Sequence, residues 1–179
     1  WSGDFILCYR SYYILPSKII NLAKIASINF HPGPPEYRGI GCVNFAIYNN
    51  EKSYGVTAHL IDKKIDHGKI LKVKRFDILK KKNLETVLKK THLELFKLAN
   101  FFIDKIYKNN LNLNSLVKKN SHIKWSRKIT KKKQLEKLYT INKDISEKNL
   151  KKTIKATAYK NFQPYIYLHG QKFYLDEKK

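Results

Sequence analysis

Phe5-Ile-Leu-Cys-Tyr9 and Ala26-Ser-Ile-Asn-Phe30 are two short apolar stretches on either side of a proline at position 16. A continuous apolar run such as the first is typical of a strand that is buried on both faces. Pro16 suits the first position of a helix, whose apolar face would be Ile19, Ile20, Leu22, Ala23 and Ile25. A strand–helix–strand unit of this kind predicts a parallel pair with a right-handed crossover, and therefore an α/β protein with a mostly parallel sheet.

The chain continues with elements of both kinds. Cys42–Tyr48 predicts a short buried helix, and the ranges 54–61 and 70–76 predict two strands joined by a charged loop. Leucines and other apolar residues recur at helical spacing over Leu84–Tyr107, which predicts a long amphipathic helix. The asparagine-rich stretch 109–114 interrupts this pattern. We therefore expect one unit over residues 1–114.

Residues 115–179 predict a small basic C-terminal extension of mixed α and β structure. Ser146 can cap a helix that runs to about Ala158, because its hydroxyl can accept a hydrogen bond from a backbone amide of the first turn. The ranges 165–168 and 172–175 alternate around His169-Gly170, which indicates a closing β-hairpin.

Composition limits the class of protein. The 179 residues include 37 basic and 14 acidic side chains, for a formal charge of +23. No apolar run approaches the ~20 residues of a membrane span, and two cysteines are too few for a disulfide framework or a cysteine-built metal site. We expect a cytoplasmic protein with no membrane contact and no metal. Only four of the basic residues are arginines, which weakens but does not remove a nucleic-acid interpretation of the charge.

The densest polar group lies on the second strand and the loop that follows it. Asn29 and His31 are two residues apart, so their side chains project to one face of an extended chain. Asp66 adds a carboxylate from a later loop. An amide and an imidazole can stabilise the oxyanion of an acyl transfer to an amine, and the carboxylate can orient the imidazole and assist proton removal. The alternative is an Asn and a His that only satisfy the backbone of the loop.

Three ordered blocks carry a family resemblance: Ser27-Ile-Asn29-Phe-His31-Pro-Gly-Pro-Pro35-Glu-Tyr-Arg38-Gly39, Tyr54-Gly-Val-Thr-Ala-His59 and Ile65-Asp66-His-Gly68-Lys-Ile70. Together they resemble the folate-dependent formyltransferases, over roughly residues 5–76. The resemblance implies a Rossmann-like sheet on which 10-formyltetrahydrofolate donates a formyl group. It also implies that Asn29 and His31 hold the oxyanion while Asp66 supports His31.

The resemblance also implies which residues bind the folate donor and which strands of the family's sheet come before Phe5. Tyr13, Ile14 and Leu15 match the segment that lines the folate pterin pocket, helped by backbone of the loop that begins at Asp62. For Ile14 and Leu15 an ordinary core position is equally open. His59 and the other remaining histidines match no catalytic position of the family and are interpreted as structural or surface residues. The family's leading strands should precede Phe5, so we expect a sheet without its N-terminal strands, from a longer enzyme.

The resemblance leaves two alternatives for the molecule that accepts the formyl group. An enzyme that formylates a nucleotide-linked amino sugar is favoured, because the strands of the tRNA enzyme's barrel domain are not evident after position 114. Methionyl-tRNA formyltransferase is the alternative, and the charge of +23 supports it. A fragment that binds folate or anions without catalysis is a third interpretation. Arg38 is the candidate for an acceptor phosphate, with a loop-ordering role through backbone carbonyls as the alternative. The oligomeric state is not indicated.

Overall fold

The computed structural model describes residues 1–11, 13–78 and 83–176. Its strands are β1 Phe5–Tyr9, β2 Ala26–His31, β3 Arg38–Gly39, β4 Ser53–Leu60, β5 Ile70–Asp77, β6 Ile129–Thr130, β7 Thr140–Ile141, β8 Tyr165–Leu168 and β9 Gln171–Tyr174. Its helices are α1 Ser17–Ile20, α2 Cys42–Tyr48, α3 Leu84–Tyr107, α4 Leu113–Lys119, α5 Lys132–Tyr139 and α6 Glu147–Thr157.

The main sheet has the strand order β1-β2-β4-β5 and confirms the α/β class. β1 and β2 are parallel, as the strand–helix–strand pattern predicts, with Tyr9 beside Phe30. β2 and β4 are antiparallel, and so are β4 and β5. The described part of the sheet is thus mixed, with its parallel pair at the β1 edge. β4 and β5 are joined by a short loop, whereas the connection from β2 to β4 contains β3 and α2.

The first helix is shorter than predicted. The expected apolar face extends to Ile25, but α1 is a single turn that ends at Ile20. The carbonyl of Ile20 accepts a hydrogen bond from the Ser27 hydroxyl at 2.9 Å, and the amide of Ile25 bonds to the carbonyl of Asp4 at 2.9 Å. These contacts with the ends of β1 and β2 replace the hydrogen bonds that would continue the helix.

Two apolar clusters hold the fold together. The first lies between the sheet and α3, where Ile28, Phe30 and Val56 pack with Leu95 and Phe102. The second joins α2, α3 and α6, and it includes Ala46, Val87 and Ala156. The predicted bounds of α2 and α3 are confirmed to the residue, since each helix has a strong local pattern and the Asn83 side chain caps α3 by accepting from the amide of Thr86.

Residues beyond 114 form the predicted helix and hairpin. α6 begins after Ser146, whose hydroxyl accepts from the amide of Asn149, and β8 and β9 pair as the expected hairpin. β7 adds a parallel third strand to this small sheet. α4 packs on the main core through Leu116 and Val117. The division of the chain at residue 114 stays a prediction. Within the described ranges no helix is both long and apolar enough to cross a membrane.

Candidate active site

The loop after β2 is fixed against β4. The Thr57 hydroxyl donates to the carbonyl of Gly33 at 2.8 Å, and the Tyr54 hydroxyl donates to the carbonyl of Pro32 at 2.9 Å. Both donors are fully buried side chains of β4. These bonds hold an irregular, proline-containing backbone in one conformation directly after His31. The loop is therefore a rigid wall of the site.

His31 and Asp66 meet, as the sequence predicts. His31 is 3% exposed, and its Nδ1 lies 3.3 Å from Oδ1 of Asp66. The other ring nitrogen, Nε2, lies 2.8 Å from the carbonyl oxygen of Tyr37. Oδ2 of Asp66 accepts from the amide of Gly39 at 2.8 Å, which anchors the carboxylate to the loop after β2. The pair is thus held from two directions.

Burial and charge act in opposite directions on this pair. Desolvation lowers the pKa of His31 below its ordinary value, and the Asp66 carboxylate opposes this by raising it. Burial would raise the pKa of Asp66, but the neighbouring imidazoles of His59 and His31 and the hydrogen bond from the Gly39 amide lower it overall. Asp66 is therefore ionised at neutral pH, which keeps a negative charge beside the imidazole of His31.

Asn29 does not bond to His31 or to Asp66 directly. Its Nδ2 lies 3.0 Å from Nε2 of His59, which stands opposite it on β4. His59 is 2% exposed, and its Nε2 is also 3.7 Å from Oδ1 of Asp66. The sequence analysis interpreted His59 as a structural or surface residue; the structure shows it buried, between Asn29 and Asp66. The Thr57-Ala-His59 alternation on a buried strand was the signal that could have found it.

Trp125 is a second residue of the site that sequence reasoning missed. Its ring lies edge-on to His59 at 5.0 Å and to His31 at 5.9 Å between centroids. Its indole N–H donates to the carbonyl of Gly68 at 2.8 Å, which fixes the ring over the Asp66 loop. No local pattern around position 125 indicates such a contact. The indole packs against both imidazoles, which are buried.

Arg38 is buried, and its guanidinium is directed at backbone carbonyls. It donates to Ile65 at 2.7 Å and to Ser126 at 2.9 Å, while its Nε lies buried without a hydrogen bond in the described structure. These contacts support the loop-ordering alternative. They join the loop after β2 to the Asp66 loop and to the segment before β6. A contact with an acceptor phosphate stays a prediction.

The residues predicted to bind the folate donor follow β1, at the carboxyl end of the sheet where His31 lies. Because β1 and β2 are parallel, with Tyr9 paired with Phe30, the residues after β1 lie at the same carboxyl end of the sheet as His31, the last residue of β2. Tyr13 and Ile14 are 64% and 68% exposed, and Leu15 is half-buried, so apolar surface is available to a planar ring. Asp62 accepts from His67 and from the amide of Lys64, which holds the 62–66 backbone in a turn. These features fit a pterin, and its binding here stays a prediction.

The two cysteines are free thiols. Cys42 is buried, and its Sγ lies 3.3 Å from the carbonyl of Gly39 and 3.8 Å from Nε2 of His31. Burial raises the pKa of Cys42 to about 12, so the thiol is not a nucleophile at neutral pH. Among the residues that the structure describes, no group of His, Cys, Asp and Glu side chains could hold a metal ion.

An imidazole–carboxylate pair and an amide at the edge of an α/β sheet form a candidate site for acyl transfer. Comparisons with known proteins agree with this class. Residues 2–100 match the sequence model of the formyl transferase family. The chain belongs to that family.

Curated relatives of two kinds match parts of the chain. The bifunctional polymyxin resistance protein ArnA of Wigglesworthia glossinidia brevipalpis is 34% identical over 110 residues, which are 61% of this chain and 17% of that protein. Methionyl-tRNA formyltransferase of Mycoplasmopsis pulmonis is 31% identical over 109 residues, or 58% of this chain and 36% of that enzyme. The matched regions thus span well under half of these relatives.

Solved structures share the fold. A 4-N formyltransferase from Francisella tularensis superimposes with a TM-score of 0.77 at 23% identity, covering 96% of this chain and 69% of that one. An N-formyltransferase from Helicobacter canadensis, in complex with folinic acid and dTDP-3-aminofucose, gives a TM-score of 0.63 at 22% identity, with coverage of 84% and 54%. At these identities the likeness concerns the fold.

Proposed function

We propose that the chain transfers a formyl group from 10-formyltetrahydrofolate to the amine of a nucleotide-linked sugar. The observation that carries this proposal is the buried His31–Asp66 pair beside Asn29, in a chain that belongs to the formyl transferase family. Family membership supplies the reaction class. The contacts of these side chains support their assignment to the chemistry.

Each residue has a role that its contacts support. The Asn29 amide is a donor for the negative charge that develops on the acyl oxygen, and the Nε2–H of His31 becomes the second donor once it turns from the Tyr37 carbonyl to the acyl oxygen. Asp66 orients the His31 ring through Nδ1 and favours the protonated imidazole as charge develops. Asp66 also assists removal of the proton from the attacking amine. The Cys42 thiol lies 3.8 Å from Nε2 of His31, but burial raises its pKa to about 12, so it is not a nucleophile at neutral pH, which favours direct transfer.

The donor supplies an activated formyl group when it is bound. Tyr13, Ile14 and Leu15 would hold its pterin ring, helped by backbone of the loop from Asp62 to Asp66. The exposed side chains of Tyr13 and Ile14 and the parallel register of β1 and β2 support this placement. The Helicobacter canadensis structure with folinic acid offers a precedent on a similar fold.

The sugar acceptor is supported by two observations. The similar structures include a formyltransferase in complex with dTDP-3-aminofucose. After residue 131, the described strands are the three of the small β7-β8-β9 sheet. A second candidate is methionyl-tRNA as acceptor, which the Mycoplasmopsis pulmonis relative and the charge of +23 favour. The third interpretation, a fragment that binds folate or anions without catalysis, predicts binding without turnover.

The test is an assay of formyl transfer from 10-formyltetrahydrofolate to a panel of dTDP- and UDP-linked amino sugars and to methionyl-tRNA. We expect turnover of a sugar nucleotide with a shallow dependence on salt. Turnover of the tRNA alone, with the steep inhibition by salt that release of many counterions produces, would replace the sugar with the second candidate. Folate binding without turnover of any acceptor would support the non-catalytic fragment.

Variants of the pair test the assignment of roles. We expect His31→Asn and Asp66→Asn each to reduce kcat by about 10²-fold or more, the scale of lost acid–base and oxyanion assistance. Binding of 5-formyltetrahydrofolate, measured by calorimetry, should stay within threefold of wild type. His122→Asn, on an exposed residue outside the site, is the matched control and should not change either quantity. Turnover of His31→Asn within threefold of wild type would remove this residue from the mechanism.

A further inference from the structure

His59 lies in the site without a role in the reaction proposed above. It is paired with Asn29 in the antiparallel register of β2 and β4, and directly opposed residues of such a pair project to the same face of the sheet. The two side chains therefore stand side by side, with Nδ2 of Asn29 3.0 Å from Nε2 of His59. At 2% exposure, the imidazole is shielded from water.

A backbone contact fixes which nitrogen of His59 carries the proton. Nδ1 lies 2.7 Å from the carbonyl oxygen of Leu60, and a carbonyl oxygen can only accept. Nδ1 must therefore bear hydrogen. In the neutral ring the lone pair is then on Nε2, which faces the Asn29 amide. Nε2 thus accepts a hydrogen bond from Nδ2 of Asn29, and this assigns the orientation of the amide.

The orientation has a consequence for Asn29. A primary amide nitrogen carries two hydrogens, and one of them is donated to His59. Among the described residues, the Asn29 side chain makes no other hydrogen bond. The second N–H is left over, and its direction is set by the first. If the amide turned over, its oxygen would take the place of this donor and would repel an oxyanion.

Neighbouring groups keep the His59 ring in place. Trp125 contacts it edge-on at 5.0 Å between ring centroids, and the Leu60 carbonyl holds its Nδ1, while Oδ1 of Asp66 lies 3.7 Å from its Nε2, beyond hydrogen-bond distance. Asp66 in turn faces Nδ1 of His31 at 3.3 Å. His59 thus stands between the amide and the imidazole–carboxylate pair, to which the described structure gives the Asn29 side chain no hydrogen bond.

We propose that His59 is a positioning residue for the reaction: it holds the Asn29 amide so that its second N–H is aimed at the acyl oxygen. The proposal rests on the proposed formyl transfer. His59 contacts Asn29 rather than the reacting atoms, so its effect is transmitted through that amide. A purely structural histidine would instead contribute only to packing and stability.

Two substitutions separate these interpretations. His59→Leu introduces an apolar side chain of similar size and removes the nitrogen that accepts the hydrogen bond from Asn29. The side-chain amide oxygen of His59→Gln can reach the position of Nε2 and accept that bond. We expect His59→Leu to lower kcat 10- to 100-fold while KM for both substrates stays within threefold. His59→Gln should retain kcat within fivefold of wild type. His92→Leu, on α3 away from the site, is the matched control for the same exchange and should not change kcat.

A double substitution tests whether the effect passes through Asn29. If it does, His59→Leu added to Asn29→Ala should not lower kcat further, because the positioned group is already absent. Multiplied losses in the double variant would overturn the proposal. So would a His59→Gln variant as impaired as His59→Leu, or a His59→Leu variant with wild-type kcat.

An NMR measurement keeps the test independent of turnover. Long-range ¹H–¹⁵N spectra should show His59 protonated at Nδ1, and the Asn29 side-chain amide should give one resonance pair that is slow to exchange with solvent. In His59→Leu the Asn29 protons should exchange at least tenfold faster. If these spectra are as expected but no acceptor is formylated, the proposed function fails and the His59–Asn29 coupling does not. Unchanged Asn29 exchange in His59→Leu would refute the coupling itself.

Discussion

At the scale of the residue, Gly33 shows how closely the loop approaches the site. A Cβ at this position would lie 2.6 Å from Nε2 of His31 and 2.9 Å from the carbonyl oxygen of Tyr37. These two atoms are the partners of the hydrogen bond that holds the imidazole. The backbone carbonyl of Gly33 is also fixed by Thr57, so the loop cannot move aside freely. Glycine is required here by close approach.

Gly33→Ala is therefore expected to displace His31. Overpacking of this kind costs about 1–3 kcal/mol in the free energy of unfolding. A displacement of the imidazole by about 1 Å should lower kcat on the order of 10²-fold. Urea unfolding and steady-state kinetics measure the two effects. Gly170→Ala is the control: its φ of +78° makes the substitution strained, but no atom lies within 4 Å of the added Cβ, so stability should fall while kcat is unchanged.

At the scale of the element, α3 is attached to the sheet by a buried carboxylate. Glu94 is 4% exposed, and it pairs with Lys74 of β5 at 2.7 Å and with Lys90 and Lys97 of its own helix. The hydrogen bond from Lys74 is the main cause that lowers the pKa of Glu94 to about 2. The lowered pKa means that the ionised form stabilises the fold, so this contribution is present above about pH 4.5 and is lost as the pH falls towards 2.

Glu94→Gln should reduce the free energy of unfolding by roughly 1–3 kcal/mol at pH 7, less than for a fully buried pair because the lysines are partly exposed. The difference from wild type should shrink in unfolding curves as the pH falls from about 4.5 towards 2. Glu85→Gln removes an exposed carboxylate that pairs with Lys89 in the first turns of the same helix, and it should lower Tm far less than Glu94→Gln does. An equal loss of stability in both variants would contradict the special role of Glu94.

Arg38 joins three elements of the chain. Its guanidinium bonds the carbonyls of Ile65 and Ser126, and its strand β3 pairs with β6. Removing a charged donor from two buried carbonyls costs on the order of 3 kcal/mol. We therefore expect Arg38→Ala to lower Tm and to impair the kinetics of both substrates. A variant of unchanged Tm with only the acceptor KM raised would instead support the phosphate contact that the sequence suggested.

At the scale of the whole molecule, stability should decline on the acid side in stages. Desolvation lowers the pKa of His31 and of His92 in the folded protein. As the pH falls, both imidazoles are therefore protonated in the unfolded chain before they are protonated in the folded one. The free energy of unfolding should accordingly begin to decrease below about pH 6.5. The lowered pKa of Asp66 stabilises the fold above about pH 4, and that contribution is lost as the pH falls further. Urea unfolding at intervals from pH 8 to pH 3 measures the profile. Equal stability at pH 7.5 and pH 5.5 would contradict the first stage.

The sequence by itself determined the elements that depend on local pattern. The apolar runs of β1 and β2, the helical spacing of α2 and α3 and the cap of α6 each lie within one segment, so composition and periodicity were sufficient to find them. The ordered blocks around Asn29, His31 and Asp66 likewise indicated the family. The contact between His31 and Asp66 followed from the family pattern, and the structure shows it.

Tertiary structure alone decided how α1 ends and which other residues enter the site. α1 stops at Ile20 because Ser27 competes for its carbonyl, and His59 reaches Asn29 through the register of β2 against β4. Trp125 comes from the segment between α4 and β6, more than 60 residues after His59 in the chain. These contacts join residues that are distant along the chain. They depend on strand register and on helix packing, which are set by the burial of the whole core. The alternation around His59 indicates a strand but not the residue that it faces, and no periodic signal surrounds Trp125.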